Sequence, residues 1–215
     1  EMLPSELVQR FIAIDTNVPM QKYAGMFRKS SLTDMDKTRV DATISRLRHY
    51  PLYFYTGDDK LDFRLLEVVS TTAVRKYNAQ IIFIDHLHYF ARGDARTRSV
   101  EIGDLVRDIK MLARRLNVPI VLISHLRKIG DYATEPTIDD LRDTSMSGQD
   151  ADVVLLLQRK KHDDNVDEKF KMALRIAKNR HGREEKINFR FMSDNMRLLE
   201  ESQIDKVHEE PSTKQ

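Results

Sequence analysis

The chain contains no cysteine. That excludes disulfides, thiolate metal sites and cysteine nucleophiles. No apolar run approaches the roughly 20 residues that a membrane-spanning helix requires. Net charge is also scarce: 36 Lys and Arg stand against 34 Asp and Glu, a formal balance of +2. Whole-molecule attraction to nucleic acid is therefore weak, and any such contact must come from local clusters. There is no internal repeat and no low-complexity block. The first residue is Glu1 rather than methionine, so the lack of a targeting segment says little. What is present is 215 residues, 33% charged and 40% hydrophobic, which suits one α/β domain with a real core.

Two short apolar runs stand out. Ile81 to Ile84 ends in Asp85, and Val121 to Ser124 ends in His125. The pattern predicts buried parallel strands that deliver a carboxylate and an imidazole to one sheet edge. Between them, Ser99 to Leu116 predicts a helix with Ile102, Leu105, Val106, Ile109, Leu112, Ala113 and Leu116 on one stripe. Asn117-Val118-Pro119 ends it. This strand–helix–strand order reads as a crossover in a parallel sheet.

The remaining elements are simpler. Ser5 to about Ala13 predicts a helix begun by Pro4, and Met20 to Tyr50 two helical pieces broken at Ser31–Asp34. Leu52 to Tyr55 predicts a short aromatic strand, and Asp62 to about Tyr77 a helix with Leu66, Val69 and Ala73 inward. Strands are expected at Val153–Leu157, Lys171–Ala177, Lys186–Phe191 and Met196–Leu199, with an antiparallel hairpin among the later ones. Residues 201–215 form a polar tail, disordered at its end.

An aspartate that ends an apolar strand is the Walker B arrangement, which holds Mg²⁺ beside a nucleotide phosphate. A lone one serves equally well as a hydrogen-bond acceptor for a helix N-terminus. The partner loop G-x-x-x-x-G-K-[ST] occurs nowhere in the chain. The expectation is a nucleotide-driven motor that begins just after its phosphate-binding loop. His86 and His88 do not join Asp85 as ligands, because successive strand residues face opposite ways. His125 reads as a satisfied histidine or, beside Asp85, as a sensor of a γ-phosphate. Asp139 to Asp152 reads as a solvated loop or one that sets Arg142 on a phosphate. Lys178 and Arg180 read as a solvated cluster or as cations that reach a neighbouring subunit's triphosphate.

Taken in order, these pieces resemble the RecA-like motor domain of DnaB-type (superfamily 4) replicative helicases. That group includes phage primase-helicases and the mitochondrial replicative helicase. Glu1-Met2 matches the end of the family's S-L-E-M segment, and Ile81–His88 its Walker B strand. Val118–Lys128 matches the sensor strand. Asp140-Leu141-Arg142-Asp143 through Gln149-Asp150-Ala151-Asp152 matches the D-L-R-E…Q-D-A-D loop. Ala177-Lys178-Asn179-Arg180-His181-Gly182 matches the K-x-R strand end.

The resemblance implies an α/β, RecA-like three-layer P-loop NTPase core over residues 1–200, with a mostly parallel sheet and without the Walker A strand and loop. It implies ATP and Mg²⁺ as cofactors, single-stranded DNA as track, a homo-hexameric ring, and primase and other replisome proteins as partners, with no membrane. The setting is cytoplasmic, at a nucleoid or phage replisome, or organellar. Glu1 would polarise the attacking water, Asp85 would hold Mg²⁺ through water, and His125 would sense the γ-phosphate. Lys178 and Arg180 would stabilise charge on the next subunit's ATP. Arg142, Asp143 and Ser145 would line the DNA channel.

The chain departs from the family pattern in two places. Ser145 replaces the usual glycine, which adds bulk and restricts φ > 0 where a backbone amide approaches DNA. The phosphate-binding loop is missing, so the chain alone is expected neither to bind ATP tightly nor to hydrolyse it. Two alternatives stay open: another RecA-like ATPase, such as a recombinase or clock-type protein, and a non-catalytic DNA-binding or ring-assembly module.

Overall fold

The computed structural model describes residues 2–22, 32–57, 62–87, 90, 98–126, 135–141, 150–159 and 170–202. The chain divides into two compact units. The first comprises 1–56, 159–174 and 187–215, and the second 57–158 and 175–186.

In the first unit, helices α1 (Pro4–Thr16) and α2 (Asp34–Leu47) pack through Ile12, Ala13, Val18 and Val40. Pro4 occupies the first turn, where its missing N–H costs nothing. Thr33 and Asp36 cap α2 reciprocally: Thr33 Oγ1 accepts the Asp36 N–H at 3.1 Å, and Asp36 Oδ2 accepts the Thr33 N–H at 3.2 Å. Between the helices, Asp15 accepts from the buried Thr43 hydroxyl and pairs with Arg46. The Thr43 hydroxyl, with Arg46 assisting, holds the Asp15 carboxyl below its usual range.

The predicted strand at Leu52–Tyr55 does not form. Residues 51–57 have no regular structure, and Leu52, Tyr53, Phe54 and Tyr55 are all exposed. β-branched and aromatic content favours a strand only where a neighbour supplies the other half of the ladder, and among the described residues none pairs with this segment.

The second unit is built on a strand–helix–strand core. Helix α3 (Phe63–Tyr77) precedes strand β1 (Ile82–Ile84), and helix α4 (Arg98–Leu116) joins β1 to strand β2 (Ile120–Leu122). Asp62 Oδ1 caps α3 by accepting the Leu65 N–H at 2.8 Å. Asn78 ends that helix at φ 54°, a left-handed conformation asparagine tolerates. Asn117, also at φ 54°, follows α4, and Pro119 forbids its continuation.

Strands β1 and β2 are parallel, with Ile82 opposite Ile120, Phe83 opposite Val121 and Ile84 opposite Leu122. The α4 stripe of Ile102, Leu105, Val106, Ile109 and Leu112 packs with Leu66 of α3 and Ile84 of β1 into one apolar core. Ile82, Ile120 and Leu122 pack against it.

The continuous apolar runs predicted strands covered on both faces, and here the structure differs. Ile84 is 8% exposed, but its neighbour Phe83 is 65% exposed, and Ile81, Val121 and Ile123 are exposed with it. Helices α3 and α4 supply one covering layer; among the described residues nothing covers the opposite face.

The later strands are β3 (Val153–Arg159), β4 (Lys171–Asn179), β5 (Glu185–Met192) and β6 (Arg197–Glu200). They lie side by side in that order, and β5 runs antiparallel to β6 with Arg190 opposite Leu199. Within the second unit, Val154, Leu156 and Ala177 form a small core with Leu126, Ile138 and Leu141 against it. Val153, Leu155 and Leu157 point the other way and are exposed, as a period of two requires. Most of the predicted loop at 139–152 and the tail beyond 202 fall outside the described residues. No helix among those described is long and apolar enough to cross a membrane.

Candidate functional site

The second unit carries the site residues that the structure describes, in two groups. The first lies at the ends of β1 and β2. Asp85 follows β1 directly and is exposed; His86, next in the chain, is 8% exposed. The two differ sharply in exposure although they are adjacent in the chain. Beyond β1 and β2, the Ile123 N–H donates to the Ile84 carbonyl at 3.0 Å, and the Leu87 N–H donates to the Ile123 carbonyl at 3.1 Å. This pairing draws the segment 123–125 alongside 85–87.

His125 consequently reaches His86. Their rings meet edge to face, with centroids 4.7 Å apart and planes at 64°. His125 is itself exposed, so the contact leaves one side of its ring open to solvent. The buried Ser124 hydroxyl beside it has no hydrogen-bond partner among the described residues. His125 was expected at the Asp85 edge, whereas His86 had no expected part there. No local pattern signals it: Asp85 and His86 lie beyond the end of β1, where strand alternation no longer applies.

The chemistry of this edge fits a magnesium–phosphate ligand in one specific sense. No group of three or more His, Asp or Glu side chains able to hold a metal occurs among the described residues. A magnesium ion needs no such cage. It is commonly held by one or two carboxylates, water and the substrate's phosphates, and Asp85 is an accessible carboxylate of that kind.

The second group lies where β4 ends. Lys178 is half-buried within β4, and Arg180 is exposed in the turn that follows. Arg180 donates its backbone N–H to the Asp152 carbonyl at 3.0 Å, and its Nη1 lies 3.3 Å from Asp152 Oδ1. Lys110, on α4, reaches the same Oδ1 at 2.9 Å and also donates to the Asp150 carbonyl at 2.7 Å. Arg107 Nε stands 3.8 Å from Asp150 Oδ2. The Lys110 hydrogen bond, then the charges of Lys110, Arg180 and His181, hold the Asp152 carboxyl below its usual range despite partial burial. In the sequence, Asp152 stands out only as part of a motif. Lys110 lies 42 positions before it and Arg180 well after it, a separation that no local pattern reveals.

Glu1, Arg142, Asp143 and Ser145 lie outside the described residues, as does His88. The structure brings His86, the chain neighbour of Asp85, together with His125, and separately groups Lys110, Asp150, Asp152 and Arg180.

Comparison with known proteins fits this geometry. The DnaB-like helicase C-terminal domain family matches residues 1–200. The replicative DNA helicase DnaB of Mycobacterium leprae is 33% identical over 188 residues, covering 85% of this chain and 30% of that protein. A probable plasmid replicative DNA helicase of Chlamydia muridarum is 32% identical over 184 residues, covering 85% of this chain and 38% of that one. The chain thus spans roughly a third of the length of these relatives. Among solved structures, one ATPase domain superposes with a TM-score of 0.80 at 22% identity, over 93% of this chain and 71% of that one. A DnaB-like replicative helicase, described with its primase interactions, gives 0.77 at 21% identity, over 93% of this chain and 49% of that one. The fold is the RecA-like α/β fold of these ATPase domains. A match over nearly the whole chain, with the Asp85 and His125 strand ends brought together, places this protein in the DnaB-like helicase C-terminal domain family.

Proposed function

We propose that the chain is the motor portion of an ATP-driven replicative DNA helicase that works as a homo-hexameric ring on single-stranded DNA, moving 5′ to 3′. Family membership supports this. The observation that carries it is the shared strand-end edge, where the accessible carboxylate of Asp85 stands one residue from the His86–His125 ring contact. An ATP-driven step needs a carboxylate for the metal and a group that distinguishes bound γ-phosphate from its absence, both fixed to one rigid edge.

Within that reading, Asp85 holds Mg²⁺ through water. The ion, when bound, neutralises phosphate charge. Glu1 orients the attacking water as general base. His125 meets the γ-phosphate, and the buried His86 ring limits the directions it can take. Lys178 and Arg180 extend to the ATP of the adjacent subunit and stabilise the charge that develops there. Arg142 binds a DNA phosphate, with Asp143 and Ser145 on the same channel segment. Binding of ATP requires phosphate-loop donors that this chain's sequence does not contain, so the chain by itself turns over no ATP. A primase is the proposed partner, as in the structurally similar helicase described with one.

The DNA-channel role has a direct test. In the full-length protein, Arg142→Ala lowers affinity for single-stranded oligonucleotide. It also makes the slope of log K against log salt shallower, by about 0.7 for each phosphate no longer neutralised. An unchanged slope, measured by fluorescence anisotropy across a salt series, removes Arg142 from the channel.

A further inference from the structure

Arg180 does not hang freely from its turn. Both its backbone and its guanidinium engage one residue, Asp152, which directly precedes β3 as Arg180 directly follows β4. Asp152 is in turn fixed by Lys110. The Lys110 side chain is only 22% exposed, and it belongs to α4, whose apolar stripe packs in the core of this unit. A chain of contacts therefore runs from the rigid strand–helix–strand core through Lys110 and Asp152 to the Arg180 guanidinium.

Stability does not account for this arrangement. Asp152 and Arg180 are each about half exposed, and exposed pairs of this kind contribute little to folding. Geometry does account for it. The pair engages Nη1, and a guanidinium has five N–H donors, so the outer donors stay available to a phosphate. An arginine that must reach another subunit loses side-chain freedom when it engages. Holding it beforehand removes much of that loss from the reacting step.

We propose that Asp152 and Lys110 are positioning residues that aim Arg180 at the neighbouring subunit's ATP. The inference rests on the reading of Arg180 as a trans-acting cation. Asp152 touches neither substrate nor DNA in this scheme. It acts only through Arg180.

A double-mutant cycle on the full-length protein tests it. Arg180→Ala lowers DNA-stimulated turnover on the order of 10³-fold. Asp152→Asn lowers kcat about tenfold and leaves the KM for ATP and the affinity for DNA in place. The double variant turns over no more slowly than Arg180→Ala alone, because the only task of Asp152 is already gone. Lys110→Met repeats the Asp152→Asn loss, and Lys110→Arg restores turnover.

A double variant slowed by the full additional factor overturns the inference, since Asp152 then acts by another route. Unimpaired turnover in Asp152→Asn overturns it as well. Normal turnover in Arg180→Ala is a different outcome, which removes the trans-acting reading on which the inference stands. A second measurement needs no ATP: guanidinium ¹⁵N relaxation of Arg180 in this chain reports an ordered side chain that becomes averaged in Asp152→Asn. Equal mobility in the two counts against the hold.

Discussion

Replacing Arg180 with alanine abolishes nearly all DNA-stimulated ATP turnover of the full-length protein, a loss on the order of 10³-fold. Binding of a non-hydrolysable ATP analogue stays nearly unchanged. The asymmetry follows from the trans-acting role proposed for the guanidinium. Ground-state binding of ATP is dominated by phosphate-loop donors within one subunit, whereas a cation from the next subunit meets charge that builds up only as the terminal phosphate leaves. The variant should still fold. Arg180 is exposed, and its loss leaves Asp152 paired with Lys110. Steady-state hydrolysis with and without single-stranded DNA, beside analogue binding, checks this. Mixing variant subunits into wild-type rings sharpens it, because each variant subunit then silences its neighbour's site. Normal hydrolysis in the variant removes the assignment.

The second large effect is on stability. Leu112→Ala costs the second unit about 2–5 kcal/mol. Leu112 is 1% exposed, at the centre of the α4 stripe, and packs in the cluster that holds Leu66, Ile84, Ile102 and Ile109. Truncation removes side-chain carbons from a site walled by two helices and the β1–β2 pair, so collapse around the gap is limited. Phe83→Ala is the control. Phe83 is larger, but it is 65% exposed on the uncovered face of β1, and its loss should stay within about 0.5 kcal/mol, as for most surface substitutions. Urea unfolding of the two variants of this chain measures the difference. A cost at Phe83 equal to that at Leu112 would mean that the core is not on the α3–α4 side.

Some of this fold is legible in the sequence, and the rest is hidden for identifiable reasons. The α4 stripe is readable because a 3.6-residue period over 19 residues has few competing interpretations. The caps at Thr33 and Asp62 and the stop at Asn117-Val118-Pro119 are readable because their chemistry is local. The parallel pairing of β1 with β2 follows from the helix between them. Leu52–Tyr55 misleads because strand formation depends on a neighbour, and a run of Leu, Tyr and Phe states only suitability for one. Both-face burial of β1 and β2 misleads for a related reason: apolar alternate positions show what a face tolerates, not what lies on it. At the site, Asp85 and His125 can be placed on one edge because each ends its own apolar run. The His86–His125 contact and the Lys110–Asp152–Arg180 chain depend on register and on separations of tens of residues. Neither leaves a periodic trace.

The central claim is the proposal that this chain is the motor portion of a protein that separates DNA strands. The most direct measurement is strand separation by the full-length protein, with Mg-ATP, of a fluorescently labelled forked duplex whose loading tail is either the 5′ or the 3′ strand. The account predicts separation of the fork that offers a free 5′ tail, dependent on ATP hydrolysis and abolished in Arg180→Ala. Pairing or exchange of strands without separation, or hydrolysis that no tail converts into unwinding, would contradict it and turn the reading toward a recombinase-type ATPase.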